Sequence, residues 1–134
     1  MKQIAEAFGR RLRDTGITRI QWIAMYYIST NKMISQRELS LLMHVADSSI
    51  GRLLDRLERD EMVVRSTNES DRRVTMVILT ERGEELMSRL IPYGERFNDD
   101  LTEGIHQEEL MIFQNVLEKM TENTKKINTE IREL

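Results

Sequence analysis

Four polar residues share one face of a predicted helix and have the chemistry to bind a polyanion. These residues are Ser48, Ser49, Arg52 and Arg56. Hydroxyl groups near a helix N-terminus reach phosphates with help from the free backbone amides and the helix dipole. Arg52 lies one turn further along, where its guanidinium can make the two-point contact to a guanine edge that gives sequence preference. The pattern predicts a helix that enters the major groove of duplex DNA.

A second group of charged residues lies where a predicted hairpin turns into its second strand. Asp71 and Arg73 are two residues apart, so both side chains can point to the same side. A carboxylate that braces a guanidinium in this way helps it to project into the narrow, electronegative minor groove. Arg72 faces a different way and is better placed for a phosphate. We expect these three residues to contact DNA beside the helix.

Both groups also have a purely structural interpretation. The helix face can be a solvated surface on which Arg52 or Arg56 pairs with Asp55 or Glu58. The hairpin pair can be an ordinary surface ion pair, which would contribute little to stability. The order of the two groups favours DNA binding, because a helix pair followed by a hairpin is what a winged helix-turn-helix requires.

Two short helices and a hairpin have to position these groups. Ser35 and Glu38 form a capping box that begins the first helix, and Asp47 is expected to cap the second. Alternating, β-branched segments predict strands over residues 62–66 and 73–79, joined by a polar turn. The first helix is predicted to bury Leu39, Leu42 and Met43, and the second to bury Ile50, Leu53, Leu54 and Leu57.

Two further helices precede this unit. Residues 3–14 have helical periodicity, and Gly16 suits the helix exit. Thr18 and Gln21 form a capping box for a helix that runs to about residue 30, and a stub of strand follows at Met33-Ile34. The buried stripe of this second helix is predicted to comprise Ile20, Ile23, Ala24, Tyr27 and Ile28, with Trp22 and Met25 on its flank.

The C-terminal third is predicted to form two long helices. Thr80 can cap a helix to about residue 103, and Pro92 is expected to kink it. One compact lobe cannot cover the apolar stripe of the last helix, and soluble monomers avoid exposing such stripes. A symmetric dimer would bury it against the same helix and against Ile4, Phe8 and Leu12 of a second chain. The stripe alternates in steps of three and four, the spacing of a coiled-coil seam, at Leu110, Phe113, Leu117, Met120, Thr124, Ile127, Ile131 and Leu134.

Composition excludes several classes of function. The 134 residues contain no cysteine, which excludes disulfides and thiolate metal sites, and neither His44 nor His106 has a metal-ligand spacing. No nucleophile or phosphate-loop motif is present, so we expect no enzyme activity, no cofactor and no metal. The net charge is −3, with the acidic excess in residues 84–134, away from the reading residues. Without a membrane span or signal pattern, the protein is expected to be cytoplasmic, with no membrane partner.

No linker or repeat divides the chain. We therefore expect one domain over residues 1–134, mainly α with a small β-hairpin wing. The winged helix-turn-helix lobe is predicted at about residues 18–83, and dimerisation helices at about 1–16 and 84–134.

The chain resembles the multiple-antibiotic-resistance regulator (MarR) family of bacterial and archaeal transcription factors. The resemblance rests on Thr18-Arg19-Ile20-Gln21-Trp22, Glu38-Leu39, residues 48–58, Asp71-Arg72-Arg73 and Leu79-Thr80-Glu81-Arg82-Gly83. It implies an obligate homodimer, a palindromic operator, and often a small-molecule inducer held between the DNA-binding lobe and the dimerisation helices. Two residues depart from the family pattern. Glu61 replaces a glycine after the recognition helix, and Gly51 replaces a hydroxyl residue within it.

An effector pocket is a further hypothesis. Bulky or aromatic residues should meet near the junction of the helices, and Arg11 is able to hold an anion, so a small aromatic or anionic effector is expected. The other members of this set are Phe8, Leu12, Trp22, Tyr26 and Tyr93. The alternative is that all of them pack the core.

Together these features predict a homodimeric, sequence-specific DNA-binding transcription regulator, a repressor that an effector can release. The alternative is a winged-helix module that binds an acidic protein through Arg52, Arg56 and Arg73 and does not bind DNA.

Overall fold

The computed structural model describes residues 1–133 and divides into two compact units, one of residues 1–98 and one that begins at residue 99. The winged-helix fold predicted from the sequence is confirmed. The single-domain boundary remains a prediction. In chain order the elements are α1 (Lys2–Arg11), a 3₁₀ turn (Arg13–Thr15), α2 (Arg19–Asn31), β1 (Ile34–Ser35), α3 (Gln36–Met43), α4 (Asp47–Arg59), β2 (Val63–Thr67), β3 (Thr75–Leu79), α5 (Glu81–Leu101) and α6 (Gln107–Glu133).

Both predicted capping boxes begin helices. The Thr18 hydroxyl accepts the Gln21 amide at 3.2 Å, and the Gln21 side chain accepts the Thr18 amide at 3.0 Å. Ser35 and Glu38 repeat the arrangement at the start of α3, at 3.0 and 3.3 Å. Each box pairs two backbone amides that a helix start otherwise leaves without partners. These local bonds fix where α2 and α3 begin.

Three antiparallel strands form the sheet, in the order β1-β3-β2. Ile34 lies opposite Val77, and Arg65 pairs with Val77 from the other side. The hairpin of β2, β3 and the intervening residues 68–74 is the wing. The sheet shares its core with α2, α3, α4 and α5, including Ile28, Leu39, Leu54, Val77 and Met87, all 1% exposed or less. This core holds α4 and the wing in one unit.

The exit from α4 requires a left-handed residue. The Met62 amide bonds to the Leu57 carbonyl at 2.9 Å and the Glu61 amide bonds to the Glu58 carbonyl at 3.0 Å, the pattern of a Schellman motif. Glu61 has φ +62°, where glycine is favoured. The strain expected from the departure at this residue is present.

Gly83 lets α5 begin close to the same exit. A Cβ at this position would fall inside contact distance of the Met62 carbonyl oxygen. The Thr80 amide bonds to that oxygen at 3.0 Å, while the Thr80 hydroxyl accepts the Gly83 amide at 3.0 Å. The predicted cap at Thr80 is confirmed. Pro92 lies inside α5, and its kink remains a prediction.

In two helices the face predicted to be buried differs from the observed one by a rotation of about one residue. In α2 the buried stripe is Gln21, Ala24, Met25 and Ile28, whereas Ile20 is 36% exposed and Ile23 and Tyr27 are half-buried. In α3 Leu42 is 44% exposed, and the small side chain of Ser40 occupies the buried position next to Leu39. Docking against the core, rather than the local apolar count, sets the rotation of each helix.

Two helix ends also differ from the predictions. α1 ends at Arg11, and a 3₁₀ turn carries the chain to Gly16, which has φ +79°. The N-cap of α4 is Ala46 rather than Asp47, and Ala46 makes no side-chain cap bond. The Asp47 carboxylate is engaged elsewhere, as described below.

The second unit contains α6. It begins where the Glu109 side chain accepts the His106 amide at 3.2 Å, after Gly104 turns the chain with φ +79°. The predicted seam lies along this helix, and Leu134 lies outside the described residues. Large apolar side chains at 45–63% exposure are Met111, Ile112, Phe113, Val116, Leu117, Met120, Ile127 and Ile131. No helix within residues 1–133 is long and apolar enough to cross a membrane.

Candidate nucleic-acid interface

The outer face of α4 carries the four predicted reading residues. Its inner face is closed by Ile50, Leu54 and Leu57, which are 0–1% exposed. On the outer face the Arg52 Nε donates to the Ser48 carbonyl at 3.5 Å, which lays the guanidinium along the first turn. The remaining outer residues, Ser49 and Arg56, are exposed as well. The structure thus brings the four residues onto one accessible surface.

Asp47 joins α3 to the start of α4. Its Oδ1 accepts a hydrogen bond from the Ser40 hydroxyl at 2.8 Å, and its Oδ2 accepts one from Nη1 of Arg37 at 3.2 Å. Ser40 is 3% exposed, so the first of these bonds is largely shielded from water. Asp47 therefore fixes the angle between the two helices instead of capping α4.

The remaining carboxylates of α4 point toward the wing. Arg65 of β2 donates to Oε2 of Glu58 from Nε at 3.0 Å and from Nη2 at 2.7 Å, and Nη2 also donates to Oδ1 of Asp55. The hydrogen bond to Asp55 and the charges of both carboxylates raise the pKa of Arg65 above its usual value, against the desolvation of the guanidinium. Asp55 and Glu58 are paired with Arg65, not with Arg52 or Arg56 as the structural interpretation supposed.

Arg65 was not among the residues predicted from the sequence, although the sequence contains a signal for it. Arg65 is two residues from Val63, so both side chains lie on the face of β2 that packs toward the core. A guanidinium on that face requires an anionic partner. The two acidic residues of α4 are the partners it has.

The wing tip holds the predicted ion pair. Nε of Arg73 lies 3.1 Å from Oδ1 of Asp71, and Nη2 lies 3.2 Å from Oδ2. The Arg73 amide donates to the same Oδ1 at 3.0 Å. The side-chain and backbone hydrogen bonds from Arg73 lower the pKa of Asp71 below its usual value. Arg73 is 90% exposed, so the braced guanidinium projects into solvent.

Hydrogen bonds across the base of the wing tip support this pair. The Asn68 amide donates to the Val74 carbonyl at 2.9 Å, and the Val74 amide donates to the Asp71 carbonyl at 3.0 Å. The Asn68 side chain accepts the Ser70 amide at 2.8 Å. Arg72 is exposed within this turn. The tip presents Arg72 and Arg73 on a closed turn.

The observed fold agrees with comparisons to known proteins. A model of the MarR family matches residues 15–74. The uncharacterized HTH-type transcriptional regulator YsmB of Bacillus subtilis (strain 168) is 29% identical over 115 residues, which cover 86% of this chain and 79% of YsmB. The chain is therefore similar to the MarR family of transcription regulators. Members of this family are transcription regulators and not enzymes.

Solved structures show the same fold. A mutant MarR from E. coli complexed with operator DNA has a TM-score of 0.79 and 24% identity, covering 89% of this chain and 86% of that one. Bordetella bronchiseptica BpsR, whose DNA binding is regulated by 6-hydroxynicotinic acid, has a TM-score of 0.80 and 19% identity, covering 90% and 86%.

Gly51, the second departure from the MarR pattern, is half-buried on the side of α4 that faces α3. A Cβ there would lie 3.7 Å from Nε2 of Gln36, an ordinary contact distance. The missing side chain therefore leaves a small space beside α3, and the exposed reading face of α4 is unaffected.

Three of the six residues predicted for an effector pocket, Phe8, Trp22 and Tyr26, form an aromatic cluster. Trp22 lies between Phe8 and Tyr26, with ring centroids 5.0 and 5.2 Å away, and its Nε1 donates to the Leu90 carbonyl at 2.9 Å. Phe97, which the sequence analysis did not single out, packs 5.0 Å from Phe8. Rings therefore fill much of the space proposed for a ligand.

A small cavity remains beside this cluster. Its volume is about 200 Å³, and it is lined by Arg11, Tyr93 and Arg96. The Arg11 guanidinium also lies 5.5 Å from the Phe97 ring centroid. Leu12 is fully buried in the core and does not line this cavity. Within residues 1–133 no group of three or more acidic, histidine or cysteine side chains is placed to hold a metal.

Only one of the three N-terminal residues predicted for the dimer interface is accessible. Ile4 is 38% exposed, whereas Phe8 is 7% and Leu12 0% exposed. Phe8 and Leu12 pack within the first unit because α1 turns that side toward Trp22. A partner chain would meet Ile4 and not the other two.

Proposed function

We propose that this protein is a MarR-family regulator, a homodimeric repressor that binds a palindromic operator and is released by a small anionic effector. The observation that carries DNA binding is the braced Arg73 at the tip of the wing, next in the chain to an α4 whose arginines are exposed. An exposed guanidinium held by two points of contact has its direction set before DNA arrives, which reduces the entropy lost on binding.

Each element has a separate role in this proposal. α4 enters the major groove, where Arg52 contacts a base edge and Ser48, Ser49 and Arg56 contact phosphates. The wing follows the adjacent minor groove, where Arg73 enters and Arg72 contacts the backbone. A mutant E. coli MarR of the same fold is complexed with operator DNA, which supports DNA binding as the function of this fold.

Dimerisation follows from the exposed stripe of α6. A row of large apolar side chains, each about half exposed, is costly for a soluble monomer. A two-fold pairing of α6 would cover the row with identical surfaces. A two-fold dimer reads two half-sites roughly 34 Å apart, or a small multiple of that distance, so the operator is expected to be palindromic.

Effector release rests on the cavity lined by Arg11, Tyr93 and Arg96. Two guanidinium groups and one aromatic ring suit a carboxylate attached to a single ring. Its volume of about 200 Å³ suits a ligand of that size. Regulation of BpsR by 6-hydroxynicotinic acid, a ring of this class, supports the choice. Thermal unfolding with millimolar aromatic carboxylates should show a rise in Tm, and no shift with any of them would contradict this part.

Selection of binding sites from a random duplex library tests the central claim. We expect an enriched palindrome, and affinity that falls steeply with added salt because bound phosphates release counterions. Arg52→Ala serves as the matched variant, which should relax the preference at one position of each half-site. Failure to retain any duplex at low salt would contradict DNA binding and favour the acidic protein partner considered above.

A further inference from the structure

The charges on α4 alternate in a way that would allow the helix to neutralise one of its own reading residues, Arg52. Asp55 lies three residues after Arg52 and four before Arg59. These are the spacings at which oppositely charged side chains pair along a helix. A carboxylate that paired with Arg52 would have to be displaced before that guanidinium contacted DNA.

The structure directs this carboxylate elsewhere. Asp55 and Glu58 both bind the guanidinium of Arg65, whose side chain is only 22% exposed, compared with 56% for Asp55 and 41% for Glu58. Partial burial of the guanidinium strengthens its attraction for the carboxylates, because water screens the charges less. Two contacts to Glu58 and one to Asp55 hold the three side chains as one cluster.

We propose that Arg65 is a positioning residue for DNA recognition, which holds Asp55 and Glu58 on the wing side of α4 and so leaves Arg52 available to the operator. The proposal rests on the DNA-binding function proposed above. It assigns to the β2 strand of the wing a role in the major-groove contact, although Arg65 itself does not touch the DNA.

The test combines removal of Arg65 with neutralisation of its partners. Arg65→Gln releases both carboxylates, and operator affinity is expected to fall about tenfold, the loss of roughly one charge-assisted contact. Adding Asp55→Asn and Glu58→Gln should restore affinity, although the triple variant cannot form the cluster. If Arg65 only braced the wing, the triple variant would remain as weak as Arg65→Gln, and the proposal would be overturned.

Matched controls separate this effect from net charge and from folding. Glu84→Gln with Glu85→Gln removes two exposed charges from α5, and in the Arg65→Gln background it should not restore affinity. Asp55→Asn alone keeps the Glu58–Arg65 pair and the fold, and it should change affinity less than about twofold, because that carboxylate is already occupied. A large gain from Asp55→Asn would mean that Asp55 competes with DNA in the unmodified protein, which contradicts the proposal.

The failures are distinguishable. If the unmodified chain binds no duplex at low salt, the proposed function itself is wrong. If the unmodified chain binds its operator and Arg65→Gln, shown by thermal unfolding to be folded, binds equally well, only the role of Arg65 is wrong.

Discussion

Asp71 and Arg73 form a two-point ion pair at the tip of the wing, with N–O distances of 3.1 and 3.2 Å, and the Arg73 amide donates to the same carboxylate. Three bonds to one carboxylate fix both the backbone turn and the direction of the guanidinium. The pair itself adds little to stability, because Arg73 is 90% exposed and water screens the charges. Its value is expected to lie in DNA binding.

Arg73→Ala is therefore expected to weaken operator binding without unfolding the protein. The loss should be about 1–3 kcal/mol, the scale of one good contact in a groove. Fluorescence anisotropy with the selected operator measures it, and Arg82→Ala, which removes an exposed arginine that only approaches Glu61 at 3.7 Å, is the control. Equal affinity of Arg73→Ala and the unmodified chain would exclude the wing as a reader.

The lowered pKa of Asp71 predicts how the wing responds to pH. A carboxyl whose pKa is depressed in the folded state remains ionised above its unfolded pKa, and the contribution of the pair is lost as pH falls through the lower, folded value. The contribution of Asp71 to operator binding should therefore be constant between about pH 5 and 8. The ratio of affinities of the unmodified chain and Asp71→Asn measures this, and a ratio that changes within this range would contradict the pairing.

Two glycines in helices should respond in opposite ways to substitution by alanine. Gly51→Ala is expected to stabilise the protein by about 0.5–1 kcal/mol, because alanine favours the helix and the new Cβ lies 3.7 Å from Gln36. At Gly94 the Cβ would lie 2.6 Å from the Trp22 ring, which Phe8 and Tyr26 hold in place. Gly94→Ala should destabilise by about 1–3 kcal/mol. Urea unfolding of the two variants provides the comparison, and stabilisation of both would contradict the packing at Trp22.

Glu61→Gly should also stabilise the protein. A non-glycine residue in the left-handed region costs about 1–2 kcal/mol, which glycine would relieve. Glycine also loses more conformational entropy on folding, so the net increase in the free energy of unfolding is expected to be about 0.5–1 kcal/mol. The lost contact of Glu61 with Arg82, at 3.7 Å and exposed, contributes little. Glu61→Ala keeps the strain while it removes the same charge, so a gain from alanine equal to that from glycine would show that charge, not backbone strain, limits stability.

The parts of the fold that local bonds determine could be predicted, and the parts that depend on docking could not. Thr18 and Ser35 cap their helices as expected, because each bond closes over three residues. Ile20 was predicted to be buried and is exposed, whereas Met25 was predicted on the flank and is buried. The elements packed against α2 decide which of its faces is buried, so a rotation of the helix by one residue cannot be read from its own sequence. Arg65 was missed for the same reason, since its partners lie on another element, seven and ten residues away.

Substitutions confined to α6 of the full chain test the proposed dimer. Ile127 and Ile131 are 52% and 62% exposed and one turn apart, so aspartate at both would place two charges in the proposed two-fold contact. Asn115→Asp with Thr129→Asp adds the same charge on the opposite side of the helix by its 3.6-residue period.

Sedimentation should show that only the first pair of changes produces a monomer. Because both half-sites must be held for tight binding, operator affinity should be lost in that variant and retained in the control. The reading residues of α4 are untouched in both, so a monomer that still binds the full palindrome tightly would contradict the proposed assembly, as would a stable monomer of the unmodified chain at micromolar concentration.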